Sequence, residues 1–92
     1  MDSKDKLYYL IIQFFNGNYN AKDFSEQFSD IFNLEIDYST LTDVEKKVFG
    51  DLSTITDRFS SNESDLKKYD CYFDEQQVKD KVEEVKAILN IE

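Results

Sequence analysis

An all-α domain, a small antiparallel four-helix bundle, is the fold this chain predicts, and three observations predict it. Apolar residues recur at spacings of three and four in four separate stretches, and a capping residue stands at the start of each. With no Pro and two Gly, the chain also has too little turn chemistry for a β-sandwich or barrel. Its 92 residues suit a single domain spanning 1–92. A domain of that size buries about 60 to 65% of the surface its unfolded chain exposes, so the core must be efficient. Eight Phe and six Tyr supply it with large side chains.

The first helix is capped by Ser3 and carries Leu7, Leu10, Ile11, Phe14 and Phe15 on one face. It stops at Asn16–Gly17–Asn18, where glycine tolerates the left-handed conformation. Asn20 caps the second helix, with Asp23 in its first turn and Ala21, Phe24, Phe28, Ile31 and Phe32 on one stripe. So short a join makes the two helices antiparallel neighbours. The segment NLEIDYSTL, from Asn33 to Leu41, alternates enough to suggest an extended connector. Thr42 with Glu45 three residues later is a capping-box signature that opens the third helix. Its stripe is Val44, Val48, Leu52, Ile55 and Phe59, with Phe49 beside it; Gly50 is either tolerated there or used for a close helix approach. Asp74 and Gln77 mark the start of the fourth helix, whose stripe is Val78, Val82, Val85 and Leu89, with Glu75 placed to pair with Lys79. Four amphipathic helices with short or moderate connections favour an up-down bundle.

Twenty acids against eleven bases give a net charge of −9, which repels phosphates and anionic lipid. Nucleic acid and membrane are therefore not expected as direct ligands, and a basic protein partner is. Acidity that merely keeps a small protein soluble is the competing account. The single cysteine, Cys71, cannot form an intramolecular disulfide, and the start MDSKDK lacks a basic and then apolar leader, so the cytoplasm is the expected location. The longest apolar run, LYYLII from Leu7 to Ile12, is far short of the ~20 residues that span a bilayer.

Catalytic chemistry is scarce. The chain has no histidine, which removes the commonest general base, the Ser-His and Cys-His nucleophile systems and imidazole zinc sites. No phosphate-binding glycine loop or calcium-loop spacing occurs, and Asp70, Asp74 and Glu75 lack the oxygen ring and central glycine that calcium needs. No cofactor, no metal and no enzymatic activity are expected. Asp57, Glu63, Asp65, Asp70, Asp74 and Glu75 lie among Ser, Asn and Lys, as on a solvated face. Cys71 stands between Asp70 and Tyr72, where negative charge disfavours a thiolate; it reads as a small packed hydrophobe. Phe14, Phe24, Phe28, Phe32, Phe49 and Phe59 sit on inner stripes and read as core. Tyr38, Tyr69 and Tyr72 fall in polar segments, a placement shared by loop packing and by interface anchors.

The order of these pieces resembles a known family. A first helix ending in FF, a short turn, AKDFSEQF, a third helix closing on DRF, an acidic connector and a last helix DEQQVKDKVEEVKAIL together look like the immunity proteins of the colicin D type. The resemblance runs from about Leu7 to Leu89. It implies a helical bundle that binds the basic ribonuclease domain of a cognate toxin, one that cuts transfer RNA near the anticodon. It further implies that carboxylates occupy the places RNA phosphates would take. In the family the acid just before RF and acids after it form the inhibitory face, which maps onto Asp57 and then onto Glu63 and Asp65. Independently of the family, Asp57 lies opposite Val48, Leu52 and Ile55 on a helical wheel and should face outward. The expected binding set is therefore Asp57, Glu63, Asp65, Tyr69, Asp70 and Tyr72, on a protein that is monomeric when free. This chain departs from the pattern in the connector after Phe59, where Ser, Tyr and the pair Lys67 and Lys68 replace a simply acidic run. A small acidic helical adaptor unconnected with toxins is the alternative reading.

Overall fold

The computed structural model describes residues 2–60 and 72–91, and in these the protein is all-helical. Helix α1 spans Ser3–Phe15, α2 Ala21–Asp30, α3 Asp43–Thr56 and α4 Glu75–Leu89. Between α2 and α3 lie a π-helical turn, Ile31–Glu35, and a short 3₁₀ turn, Tyr38–Thr40. Each α-helix has a side-chain N-cap. Asn20 accepts from the Asp23 N–H at 2.7 Å, and Thr42–Glu45 and Asp74–Gln77 both form complete capping boxes. At α1 the cap is Asp2 rather than Ser3: its carboxylate accepts the Asp5 N–H at 2.9 Å, and Ser3 is the first helical residue. Gly17 ends α1 with φ at 84°, the left-handed conformation its position called for.

The core joins Leu7, Leu10, Ile11 and Phe14 of α1 to Phe24 and Phe28 of α2, Val48, Phe49 and Leu52 of α3, and Val78, Val82 and Val85 of α4. Aromatic rings run through its centre. Phe14 stacks on Phe24 with centroids 4.4 Å apart, and Phe49 meets Tyr8 at 5.5 Å and Phe28 at 6.0 Å, both edge-on. Helix α4 packs chiefly on α3 and also touches α1 and α2. Among the described residues no helix is long and apolar enough to cross a membrane.

Three elements differ from the expected pattern. The stripe of α3 is rotated: Phe49 is fully buried, whereas Val44 is half exposed, because the inward face runs through Glu45, Val48, Phe49, Leu52, Ser53 and Thr56. Phe59 is not helical at all. Helix α3 ends at Thr56, and Phe59 forms an isolated parallel bridge with Phe73, in which the Phe73 N–H donates to Arg58 O at 2.9 Å and the Ser60 N–H to Phe73 O at 2.9 Å. On α1, Phe15 is half exposed and covered by Lys86, whose ammonium lies 3.2 Å from the ring centroid.

The segment read as an extended connector is helical for its first half. The Ile36 N–H passes over Phe32 O and donates to Ile31 O at 2.9 Å, which widens the turn by one residue. Phe32 O, the acceptor that an α-helical bond would have used, takes the Tyr38 hydroxyl at 3.0 Å. The Tyr38 ring meets Phe32 edge-on at 5.4 Å, so this tyrosine packs on its own connector. The widening leaves Leu34 81% exposed while Phe32 and Ile36 stay in the core. Gly50 is tolerated rather than used: a Cβ there would meet nothing within 4 Å.

Candidate functional site

Helices α2 and α3 meet at their C-terminal ends, where the hydroxyls of Ser29 and Thr56 lie 2.7 Å apart. Beside that contact a cleft of about 490 Å³ opens, lined on α2 by Lys22, Ser25, Glu26, Ser29 and Asp30 and opposite by Thr56, Asp57, Phe59 and Ser60. Asp57 is exposed, as expected, although it caps the end of α3 instead of riding on its last turn. Its carboxylate accepts from the Asn33 amide at 2.9 Å, which ties the end of α3 to the π-helical turn.

The electrostatics of this end are one-sided. Neither α2 nor α3 carries a basic residue in its last turn, yet Asp30 closes α2 and Asp57 caps α3. Asp57 thus stands where the helix dipole disfavours negative charge, whereas beyond Asp30 the helical backbone runs on to Glu35. Seven acids and no Lys or Arg occupy residues 23–45. Some of these acids have structural partners: Glu35 pairs with Lys6 at 3.7 Å, and Asp37 is held below the usual carboxylate range by the hydroxyl and N–H of Ser39. Glu26 and Asp30 have no ion-pair partner among the described residues, and both are exposed.

The most elaborate charged cluster lies elsewhere and is structural in form. Glu45 is 5% exposed; it accepts the Thr42 N–H at 2.8 Å, the Lys4 ammonium at 3.0 Å and the Tyr8 hydroxyl. Burial alone would raise its pKa, but these three donors together overcome burial and bring it down to about 2. The Tyr8 phenol is pushed well above its ordinary value, first by burial and then by the carboxylate it faces. Lys4 also donates to Thr40 O at 3.3 Å, so the cluster fastens α1 to the start of α3 and to the connector.

Of the expected binding residues, Asp57 lines the cleft and Tyr72 is exposed next to the Phe59–Phe73 bridge. Glu63, Asp65, Tyr69 and Asp70 lie outside the described residues, as do Cys71, Lys67 and Lys68. Glu26, Asp30 and Ser25 line the same cleft as Asp57. The spacing of Glu26 and Asp30, four apart on the polar side of α2, is readable in DFSEQFSD, but their meeting with Asp57 depends on how α2 and α3 pack. Among the described residues, no group of three His, Cys, Asp or Glu side chains is placed to hold a metal ion. Compared with known protein families, curated proteins and solved structures, the chain matches none.

Proposed function

We propose that this protein is an inhibitor of the immunity type: it binds the basic nuclease domain of a cognate toxin and covers the active cleft with its own acidic face. The observation that carries the reading is the meeting of Glu26, Asp30 and Asp57 in one cleft, with Asp57 at the end of a helix that has no basic residue in its last turn. Locally unfavourable charge of this kind is what a surface shaped for a cationic partner retains. The net charge of −9 acts in the same sense at long range, speeding encounter with a basic domain. On this reading the protein is not an enzyme and uses no cofactor. It has the family's bundle, with α1–α2 and α3–α4 as the antiparallel pairs, and it works in the cytoplasm as a monomer until it meets the toxin. The substrate class proposed for that toxin is transfer RNA. Tyr72, Glu63, Asp65, Tyr69 and Asp70 extend the binding face beyond Asp57.

Co-expression tests the reading. Growth of cells in which the toxin domain encoded next to this gene is induced should be rescued by this protein, and the purified pair should bind with strong salt dependence. Replacing Asp57 and Glu63 with Lys should weaken binding, and at Asp57, which is exposed, should leave the melting curve nearly unchanged, because exposed charge changes cost little stability. Unchanged lethality in the presence of soluble protein would remove the proposal.

A further inference from the structure

Ser25 is 1% exposed, and its hydroxyl is buried without a hydrogen-bond partner. A buried hydroxyl left unmatched is costly and uncommon, so it asks for an explanation. Ser25 lies in the middle of α2, where the side chain is the part of a residue that faces away from the helix axis, and it lines the acidic cleft. Also lining the cleft, Thr56 donates its hydroxyl to Ser53 O at 3.2 Å. The Ser29 hydroxyl therefore donates to Thr56 in their 2.7 Å contact, and the lone pairs of Ser29 are left to accept. The cleft thus has hydroxyl acceptors on its floor, three carboxylates at its rim and the Phe59 ring in its wall. Among the described residues its one cation, Lys22, is eight residues from Asp30 on α2, or about 12 Å along the axis at 1.5 Å per residue, so among these residues the Asp30 and Asp57 end is negative.

We propose that this cleft receives an arginine side chain of the partner. A guanidinium presents five donors in a planar fork, which can reach the separated floor and rim acceptors together and lay its face on an aromatic wall. An ammonium gathers three donors at one point and matches this spread less well. An N–H of the guanidinium donates to the Ser25 oxygen and so gives the orphaned hydroxyl a partner. The proposal rests on the reading that this acidic face meets a basic protein, and it names the partner group that enters it.

The test uses the isolated protein and a defined probe. N-acetyl-L-arginine amide is titrated into the ¹⁵N-labelled protein, with N-acetyl-L-lysine amide at equal ionic strength as the control. Saturable amide shifts should be confined to the residues lining the cleft, with the arginine probe binding at least about threefold more tightly than the lysine probe. Ser25→Ala should weaken the arginine probe about three- to tenfold, while its melting temperature stays at or above that of the wild type, because an unmatched buried hydroxyl has been removed. If that variant fails to fold, Asp57→Asn, which alters an exposed group, should show the same loss. Equal affinity for the two probes, shifts spread over the whole acidic surface, or an arginine affinity indifferent to both substitutions would overturn the assignment. Growth rescue by co-expression tests the inhibitor reading separately, so rescue without arginine selectivity would remove this proposal and leave that one standing.

Discussion

Replacing Glu45 by Gln keeps the shape of the side chain and removes its charge, which makes it a clean probe of the cluster joining α1 to α3. In the folded protein this carboxylate has its pKa lowered from 4.5 to about 2. At ~1.36 kcal/mol per unit, the drop corresponds to ~3 kcal/mol of stability at neutral pH. Lys4 is about one-third exposed, so water screens part of its contribution, and a net figure of ~2 kcal/mol is more realistic. Because the folded pKa is depressed, this stability is present in full above 4.5 and is lost as pH falls toward about 2. Glu45→Gln should therefore melt ~8 to 16 °C below the wild type at pH 7, on the scaling of ~4 to 8 °C per kcal/mol for a domain of this size. The gap should close as both proteins are brought from pH 5 to pH 2.5. Thermal unfolding followed by circular dichroism across that range measures it, and comparing the two proteins cancels the titration of every other carboxylate. Equal melting at pH 7, or a gap that stays constant down to pH 2.5, would refute the argument.

Three other substitutions test separate parts of the fold. Gly50→Ala should stabilise by ~0.5 to 1 kcal/mol in urea denaturation, since a methyl group there meets open space and removes backbone entropy from the unfolded chain. Asp74→Ala breaks the capping box of α4 and should cost ~1 kcal/mol, seen as a lower denaturation midpoint with unchanged slope. Phe24→Ala leaves a cavity beneath Phe14 and Phe28, where Phe24 is fully buried, and should cost ~3 to 5 kcal/mol by the same measurement.

What could be read beforehand was what depends on neighbours along the chain. Asn20, the Thr42–Glu45 pair and the Asp74–Gln77 pair act within one helical turn, and each caps the helix it was expected to cap. The Glu75–Lys79 pair forms at 3.0 Å for the same reason. Where the periodicity failed, the deciding partner was distant. Val44 and Phe49 both fit an apolar stripe in α3, and burial chose Phe49 because Tyr8 and Phe28 pack against it. Phe59 continued the spacing of α3, yet its backbone pairs with Phe73, fourteen residues on. The capping-box signature located Glu45 but not its contacts with Lys4 and Tyr8, which come from another helix. The cleft was less legible still. Asp57 was picked out as outward-facing, whereas its company with Ser25, Glu26 and Asp30 is a product of packing between helices.

The widened turn after α2 changes how chain length counts in this protein. A bond from Ile36 back to Ile31 encloses one residue more than an α-helical bond would, and Leu34, almost wholly in solvent, fills that extra place without taking part in the core. The anchors on either side, Phe32 within and Ile36 and Tyr38 beyond, fix the route of the backbone by what they touch. Residue spacing in this segment is therefore slack, and a chain one residue shorter at Leu34 can close an ordinary helical bond and still deliver Ile36 to the same core.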